Sequence, residues 1–448
     1  MRQEKQRRTE NHIRSIIIVL GVIGGGLAFI YHYLLSDFSD LFITPSVRGA
    51  YIISLGLAVL IILVSAVFWS ITHGIHKGFA HALVHSDLIS VVEDALFEAG
   101  FYIIENNGLA RLPKIKLHLN NDRTQGIISV QNHLKHDKSL DNVNISSALG
   151  NFIVDQQYLS DNQNEYTFEI SDSRAQKQMV FDSANEFTKY SKQNCNDYEL
   201  FIDETSKIKL HHLLLVGQTG SGKTYALYSL ILQMLAKRIP YHLYFADPKM
   251  SSLSKVGEKV SKENTAEDTD SIIDLLRRFN NEMEKRKKEI KERLSEQLDA
   301  DYTTFGLAPH VLIFDEYASF QAIVSTMDKK TRDEVSALLK AVVMQGRQLG
   351  FFLVIVAQKS DATTISTDIR DNLVGKFVLG QSEKTTYETC FGASGGANVP
   401  NRKYSAGQGV FTYSGLTHQG KPKLCYFPTL RFDVLGAIHG LLEQAGEM

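Results

Sequence analysis

The fold is decided by Lys209-Leu-His-His-Leu-Leu-Leu-Val216, the stretch Gly217-Gln-Thr-Gly-Ser-Gly-Lys-Thr224 and residues 225–237 after it. The first part is apolar enough for a buried strand, and the last part has the spacing of a helix. Between them stands the GxxxxGK[ST] pattern of a phosphate-binding loop. Its glycines let backbone N–H groups turn inward around phosphates, and the helix N-terminus adds its positive end. The stretch predicts an α/β nucleotide-binding domain.

The loop supplies the predicted nucleotide contacts. The residues expected to bind the nucleotide, ATP, are Gly217, Gln218, Thr219, Gly220, Ser221, Gly222, Lys223 and Thr224. We expect the Lys223 ammonium to meet the charge of the β- and γ-phosphates and the Thr224 hydroxyl to ligate Mg²⁺.

A second apolar stretch, His310-Val-Leu-Ile-Phe314, ends in the acids Asp315 and Glu316. Acids at the carboxyl end of a strand in a parallel sheet emerge beside the phosphate loop. Asp315 is then placed to hold Mg²⁺, and Glu316 to polarise an attacking water. Adjacent acids indicate hydrolysis of ATP rather than binding alone, whereas the alternative is a charged strand end without a catalytic part.

Three further residues are candidates for catalysis. Gln358 follows the apolar stretch 351–357 and is placed to sense the γ-phosphate, although glutamine also simply terminates strands. Arg347 and Arg370 are candidate arginine fingers that reach a neighbouring subunit's nucleotide. Each arginine alone is equally compatible with a surface or DNA-facing position.

A long helix is predicted over residues 268–296, and it carries the basic run Lys285-Arg-Lys-Lys288. Such a run is usually a solvated helix face, and a contact with nucleic acid is the alternative.

Two apolar runs near the N-terminus contain no Asp, Glu, Lys or Arg: residues 15–36 and 49–73. Each is long enough for a helix to cross about 30 Å of hydrocarbon. Five basic residues precede the first run, and the loop at 37–48 contains only Arg48. Because Lys and Arg resist translocation, we expect a two-pass cell-membrane protein with both termini cytoplasmic.

The expected organisation therefore has six parts. They are a basic N-terminus (1–14), a transmembrane helix (15–36), an extracytoplasmic loop (37–48), a second transmembrane helix (49–73), a small α+β adapter domain (74–205) and a motor domain (206–448). In the adapter, an amphipathic helix and short alternating stretches carry no recognisable chemistry.

Composition narrows the class of protein further. The chain has 448 residues, so a disordered or disulfide-stapled protein is a poor interpretation. Its 48 Lys and Arg balance 50 Asp and Glu, so any nucleic-acid surface must be local. Cys195, Cys390 and Cys425 lie far apart, which favours inert thiols in a reducing compartment.

Taken together, several motifs resemble the FtsK/SpoIIIE family of DNA-pumping ATPases over residues 210–412. They are the phosphate loop, Ala246-Asp-Pro-Lys-Met250, Asn281-Glu-Met-Glu-Lys-Arg286, the strand ending in Asp315-Glu316, and Gly346-Arg-Gln-Leu-Gly350. The resemblance implies a RecA-like P-loop ATPase domain with a mainly parallel sheet. It also implies a homo-hexameric ring that threads DNA and binds ATP between subunits. Arg370 stands two residues before Asn372, where the family has a short Lys/Arg-x-Asn element.

Cell-division members of that family resemble one another in having more spans, a long linker and a C-terminal winged helix. This chain departs from them, since it has two expected spans, no Pro/Gln-rich linker and little sequence after the last predicted strand. It instead resembles the coupling proteins of Gram-positive conjugative elements, which bring relaxase-bound DNA to a secretion channel. The expected function is therefore a conjugative coupling ATPase whose partners are a relaxase and channel proteins. Whether it tracks single- or double-stranded DNA stays open.

Two alternatives remain beside the coupling protein. One is a chromosome-partitioning or sporulation-type DNA pump, and the other is an FtsK-like ATPase that exports protein. The export ATPases usually contain several motor domains in one chain, whereas this sequence has one phosphate loop. DNA that copurifies with the protein would favour a DNA motor.

Overall fold

The computed structural model describes residues 75–446, with gaps at 106–107, 109, 137–139, 141–142, 144, 175–177, 294–299, 361–363, 398, 401 and 419, and some positions between 52 and 67. The first predicted span, 15–36, and about half of the second, 49–73, lie outside the described residues, as do the N-terminus 1–14 and the loop 37–48. Among the described residues, no helix is both long enough and apolar enough to cross a membrane.

The first compact unit ends at residue 175. Its described elements are α1 (Phe79–Glu98), β1 (Ile103–Ile104), β2 (Ala110–Arg111), β3 (Ile115–Leu119), β4 (Gln125–Gln131), β5 (Phe152–Leu159) and β6 (Glu165–Asp172). Strands β3, β4, β6 and β5 form an antiparallel sheet in that order. Leu88, Val92 and Leu96 recur at helical spacing on α1 and share one apolar core with Ile128 and Phe168.

The second unit comprises residues 176–448. Its described strands are β7 (Val180–Phe181), β8 (Glu199–Phe201), β9 (Lys207–Lys209), β10 (Leu213–Gly217), β11 (His242–Ala246), β12 (Thr265–Ala266), β13 (His310–Phe314), β14 (Phe351–Ala357), β15 (Gly375–Leu379), β16 (Gln408–Tyr413), β17 (Lys423–Tyr426) and β18 (Thr429–Leu430). Its described α-helices are α2 (Ala184–Asn194), α3 (Lys223–Leu235), α4 (Ser252–Ser261), α5 (Thr269–Arg293), α6 (Tyr317–Thr326), α7 (Lys329–Leu349), α8 (Thr367–Asn372), α9 (Lys384–Ala397) and α10 (Val434–Gly446).

The division between the units falls earlier than the expected boundary at 205. Strand β7 pairs with β18 near the C-terminus, which ties this segment to the second unit. The rings of Phe181, Phe187 and Phe201 also contact one another, with Phe181–Phe187 centroids 5.2 Å apart. Residues 178–205 therefore pack with the motor and not with the antiparallel sheet.

An eight-stranded sheet forms the centre of the second unit, in the order β12-β11-β13-β14-β10-β15-β16-β17. The six strands from β12 to β15 run parallel, and the last two pairings are antiparallel. The α/β class is thus confirmed, and the sheet is mixed. The segment 414–422 between β16 and β17 contains no described helix, so it lacks the crossover that parallel neighbours need.

The parallel strands bring the predicted motifs to one edge of the sheet. Every residue of β10, β13 and β14 is buried, as expected for strands covered on both faces. Val216 is in register with Ala357, and Ile355 is in register with Phe314. The segments that follow these three strands therefore emerge together.

Candidate active site

The phosphate loop joins β10 to α3. Gly220 and Gly222 have φ angles of +83° and +92°, which side chains with a Cβ rarely adopt. Helix α3 begins at Lys223, so its free N–H groups face the loop. The loop is thus shaped to surround an anion, as the sequence predicts.

A second loop backs the phosphate loop. The Gly407 N–H donates a hydrogen bond to the Ser221 carbonyl at 2.8 Å. A Cβ added to Gly222 would lie 2.3 Å from the Gly407 nitrogen, so the two backbones touch. Sequence reasoning missed this contact, and the signal available was the pair of glycines at 407 and 409 just before and within a strand.

Lys223 folds back over the loop. Its Nζ donates to the carbonyl of Gly217 and, at 3.1 Å, to that of Gln218. Burial lowers the pKa of this ammonium, although the negative charges of Asp315 and Glu316 act against that shift. A phosphate in the loop would supply a stronger anionic partner than the two carbonyls.

Asp315 is held at the carboxyl end of β13. Its Oδ1 accepts from the Glu316 N–H at 2.9 Å, and its Oδ2 accepts from the Ser251 hydroxyl at 3.3 Å. Burial raises the pKa of this carboxyl, and the nearby charges of Asp247 and Glu316 raise it further. A carboxylate that is costly to ionise alone favours a cation beside it.

The donor set at this point fits Mg²⁺. Among the described residues no three His, Cys, Asp or Glu side chains form a metal-binding group. Mg²⁺ in phosphate-transfer sites typically has one or two protein oxygens, with the remaining positions filled by phosphate and water. Asp315 and the Thr224 hydroxyl face the same cleft and would be those protein ligands.

Glu316 stands between strand and helix in a left-handed conformation, with φ +42° and ψ +48°. Such a conformation costs about 1–3 kcal/mol for a residue with a Cβ, and it turns the side chain away from the path of the strand. Its Oε1 lies 3.2 Å from the Lys249 Nζ. The sequence quoted Lys249 within a motif but assigned it no contact.

A cleft of about 540 Å³ joins these parts. The predicted residues that line it are Gln218, Thr219, Gly220, Gly222, Lys223, Thr224, Asp315, Glu316 and Gln358. Gly217 and Ser221 are buried behind the loop and support it. Sequence reasoning missed other lining residues, among them Tyr225, Tyr228 and Ala406.

The two candidate arginine fingers lie elsewhere. Arg347 is in the last turn of α7, just before the start of β14, and therefore near the opposite edge of the sheet. Its charge helps burial lower the pKa of His211 to about 4. Arg370 lines a separate cleft of about 590 Å³ together with Lys376 and Cys390. Neither arginine lines the phosphate-loop cleft of its own subunit.

The basic run on α5 is neutralised by its own helix. Lys285 pairs with Glu282 at 2.6 Å, and Lys287 pairs with Glu284 at 3.3 Å. Arg286 instead donates to the carbonyls of Ala308 and Leu349, both at 3.2 Å. This arrangement favours a solvated helix face with one structural arginine.

The three thiols are buried, and burial raises the pKa of each, in the case of Cys390 to about 11. Thiols of this kind are unreactive at neutral pH.

Comparison with known proteins identifies the domain. The FtsK/SpoIIIE family profile matches residues 174–342. The FtsK domain-containing protein YdcQ of Bacillus subtilis is 33% identical over 184 residues, which are 41% of this chain and 37% of YdcQ. The DNA translocase FtsK of Staphylococcus aureus is 22% identical over 224 residues, which are 46% of this chain and 26% of that protein. The matches thus span well under half of each relative.

One solved structure shares the fold over most of the chain. The conjugation coupling protein TcpA of pCW3, solved as a monomer with ATPγS, aligns with a TM-score of 0.51 and 17% identity. The alignment covers 80% of this chain and 99% of the TcpA chain.

Proposed function

Because residues 174–342 form an FtsK/SpoIIIE family P-loop ATPase domain, we propose that the chain is an ATP-driven DNA translocase. The observation that carries the proposal is the cleft in which the phosphate loop meets Asp315, Glu316 and Gln358. A protein that only bound nucleotide would not need paired acids facing the phosphates.

In this proposal each residue has a distinct task. The loop N–H groups and Lys223 bind the β- and γ-phosphates, and Lys223 stabilises the charge that develops during transfer. Asp315 and Thr224 hold Mg²⁺, which supplies charge neutralisation at the phosphates when bound. Glu316 accepts hydrogen-bond donation from the attacking water and orients it. Gln358 contacts the γ-phosphate side of the cleft.

We further propose a homo-hexameric ring. The two candidate fingers lie outside their own subunit's phosphate-loop cleft, which is where a residue acting on a neighbour must lie. Arg370 fits this task better than Arg347. Its Nη1 is buried without a hydrogen-bond partner, whereas Arg347 is exposed at the far edge of the sheet.

The finer role that we propose is that of a conjugative coupling protein, which brings relaxase-bound DNA to a secretion channel. Its support is the predicted architecture of two spans, one adapter and one motor, together with the name of the TcpA structure that shares the fold. In this role residues 15–36 and 49–73 anchor the chain in the cell membrane with both termini cytoplasmic. A chromosome-partitioning pump and a protein-secretion ATPase are the alternatives.

The first test measures ATP hydrolysis by the full chain, purified in detergent, without DNA and with single- or double-stranded DNA. We expect strong stimulation by DNA. The preferred strand form would separate a coupling protein from a chromosome pump. Hydrolysis that is indifferent to both forms would contradict a DNA motor and favour protein export.

Two variants make the test specific. Lys223→Ala should abolish turnover, because it removes the charge that stabilises the transferring phosphoryl group. Glu316→Gln should bind ATP and retain it, because the phosphate loop stays intact while the water is not activated. Normal turnover by Glu316→Gln would remove this residue from the mechanism.

A further inference from the structure

The turn 247–251, between β11 and α4, contacts both acids of the active site. It is built on Asp247, which is fully buried. The Asp247 carboxylate accepts from three backbone N–H groups, those of Lys249, Ser251 and Ser254, at 3.2, 2.7 and 3.1 Å. It also accepts from the hydroxyls of Ser251 and Ser254 at 2.7 and 3.0 Å. A buried carboxylate with this many donors fixes the turn firmly.

The fixed turn reaches the acids through two side chains. The Ser251 hydroxyl, besides its bond to Asp247, lies 3.3 Å from the Asp315 Oδ2. The Lys249 Nζ lies 3.2 Å from the Glu316 Oε1. Strands β11 and β13 are direct neighbours, with Ala246 in register with Phe314, so both contacts cross between adjacent strand ends.

The ion pair is asymmetric in its exposure. The Glu316 side chain retains only 15% of its surface, whereas that of Lys249 retains 48%. A side chain in Glu316's left-handed conformation has few neighbours from its own strand to fix its rotamer. Within the described residues, Lys249 is the one cation that forms a salt bridge with Glu316.

We propose that Lys249 is a positioning residue that orients the Glu316 carboxylate toward the attacking water. The proposal rests on the proposed ATPase function. The ammonium holds one carboxylate oxygen and leaves the other free, and the Asp247 network fixes the backbone from which Lys249 extends. Lys249 thus acts through Glu316 and not on the phosphates.

The test begins with Lys249→Ala in the full chain. We expect kcat for ATP to fall roughly 10- to 100-fold, as for other displaced catalytic groups, with KM changed less than about threefold. Lys249→Arg keeps a cation within reach of the carboxylate and should restore most of the lost kcat. Lys255→Ala is the matched control, since Lys255 is exposed on α4 and forms no salt bridge within the described part of the chain.

A second background separates positioning from direct phosphate binding. In Glu316→Gln, adding Lys249→Ala should leave the affinity for MgATP unchanged and should not slow the residual hydrolysis further, because residues that act as a unit are not additive. Weaker MgATP binding by the double variant would show that Lys249 holds phosphate and would overturn the proposal. Unchanged kcat in Lys249→Ala alone would overturn it as well.

The outcome also distinguishes this proposal from the function on which it rests. If the chain is not an ATPase, the unaltered protein hydrolyses no ATP under any condition. If only the positioning role is wrong, the unaltered protein is active and Lys249→Ala differs from it in KM or not at all.

Discussion

Asp315 is kept partly buried at a site where its charge is unfavourable in the absence of a cation. Burial raises the pKa of its carboxyl, so ionising it costs more in the folded chain than in the unfolded one. The penalty is present at pH values above the folded pKa and disappears below the unfolded value of about 4. The chain therefore gives up stability at this residue, which is common at functional sites.

Asp315→Asn should accordingly stabilise the nucleotide-free protein at pH 7 while abolishing hydrolysis of MgATP. A gain of about 1 kcal/mol would raise the Tm by ~2–4 °C in a domain of this size. Thermal unfolding in the absence and presence of MgATP measures both effects, since MgATP should stabilise the parent far more than the variant. A lower Tm for Asp315→Asn across pH 5–8 would contradict the argument, and the difference should shrink as the pH approaches 4.

At this scale the sequence predicts identities better than contacts. The phosphate-loop residues, Asp315, Glu316 and Gln358 were predicted, and the structure brings them into one cleft because each follows a parallel strand. Lys249 carried a motif but no role, since an ion pair between neighbouring strands depends on sheet order. Ala406 was missed altogether, because 182 residues separate it from Thr224 (406 − 224 = 182).

Among the elements, α5 shows how charge pairing decides what a basic run does. The ammonium groups of Lys285 and Lys287 are paired with acids three residues earlier on the same helix. Such pairs leave little net field for a phosphate backbone, and exposed pairs add little stability.

Replacing Lys285 and Lys287 together with Ala should therefore leave both the DNA affinity and its salt dependence unchanged. A residue that contacts a DNA phosphate would lower the slope of log K against log salt by about one. Fluorescence anisotropy with labelled DNA at several salt concentrations measures this slope. A slope reduced by about two would show that the α5 face binds DNA after all.

The start of β10 shows why element boundaries are harder to predict. The apolar run from Lys209 predicts one strand, yet β9 ends at Lys209 and β10 begins at Leu213. The Tyr413 hydroxyl donates to the Lys209 carbonyl, and Lys209 pairs with Asp301 at 2.7 Å. These partners are distant in sequence, and they hold the segment before β10 apart from the sheet.

For the whole molecule, the proposed ring makes each subunit's turnover depend on its neighbours. Mixing the parent with Glu316→Gln in rising proportion should lower DNA-stimulated hydrolysis more steeply than the fraction of variant, so that an equal mixture has far less than half the activity. The steepness arises because a subunit that retains ATP blocks its neighbours in sequence. A linear decline, measured with fully exchanged subunits, would indicate subunits that act independently.

The contact between Gly407 and Ser221 also has a meaning for synthesis of the chain. A ribosome that adds about 5–20 residues per second needs roughly 10–40 s to pass from Thr224 to Gly407, a distance of 183 residues (407 − 224 = 183). During that interval the left-handed turn at Gly222 has no backbone against it. The site for the motor's fuel is thus encoded early and finished late, so a nascent chain acquires its nucleotide grip only near the end of translation.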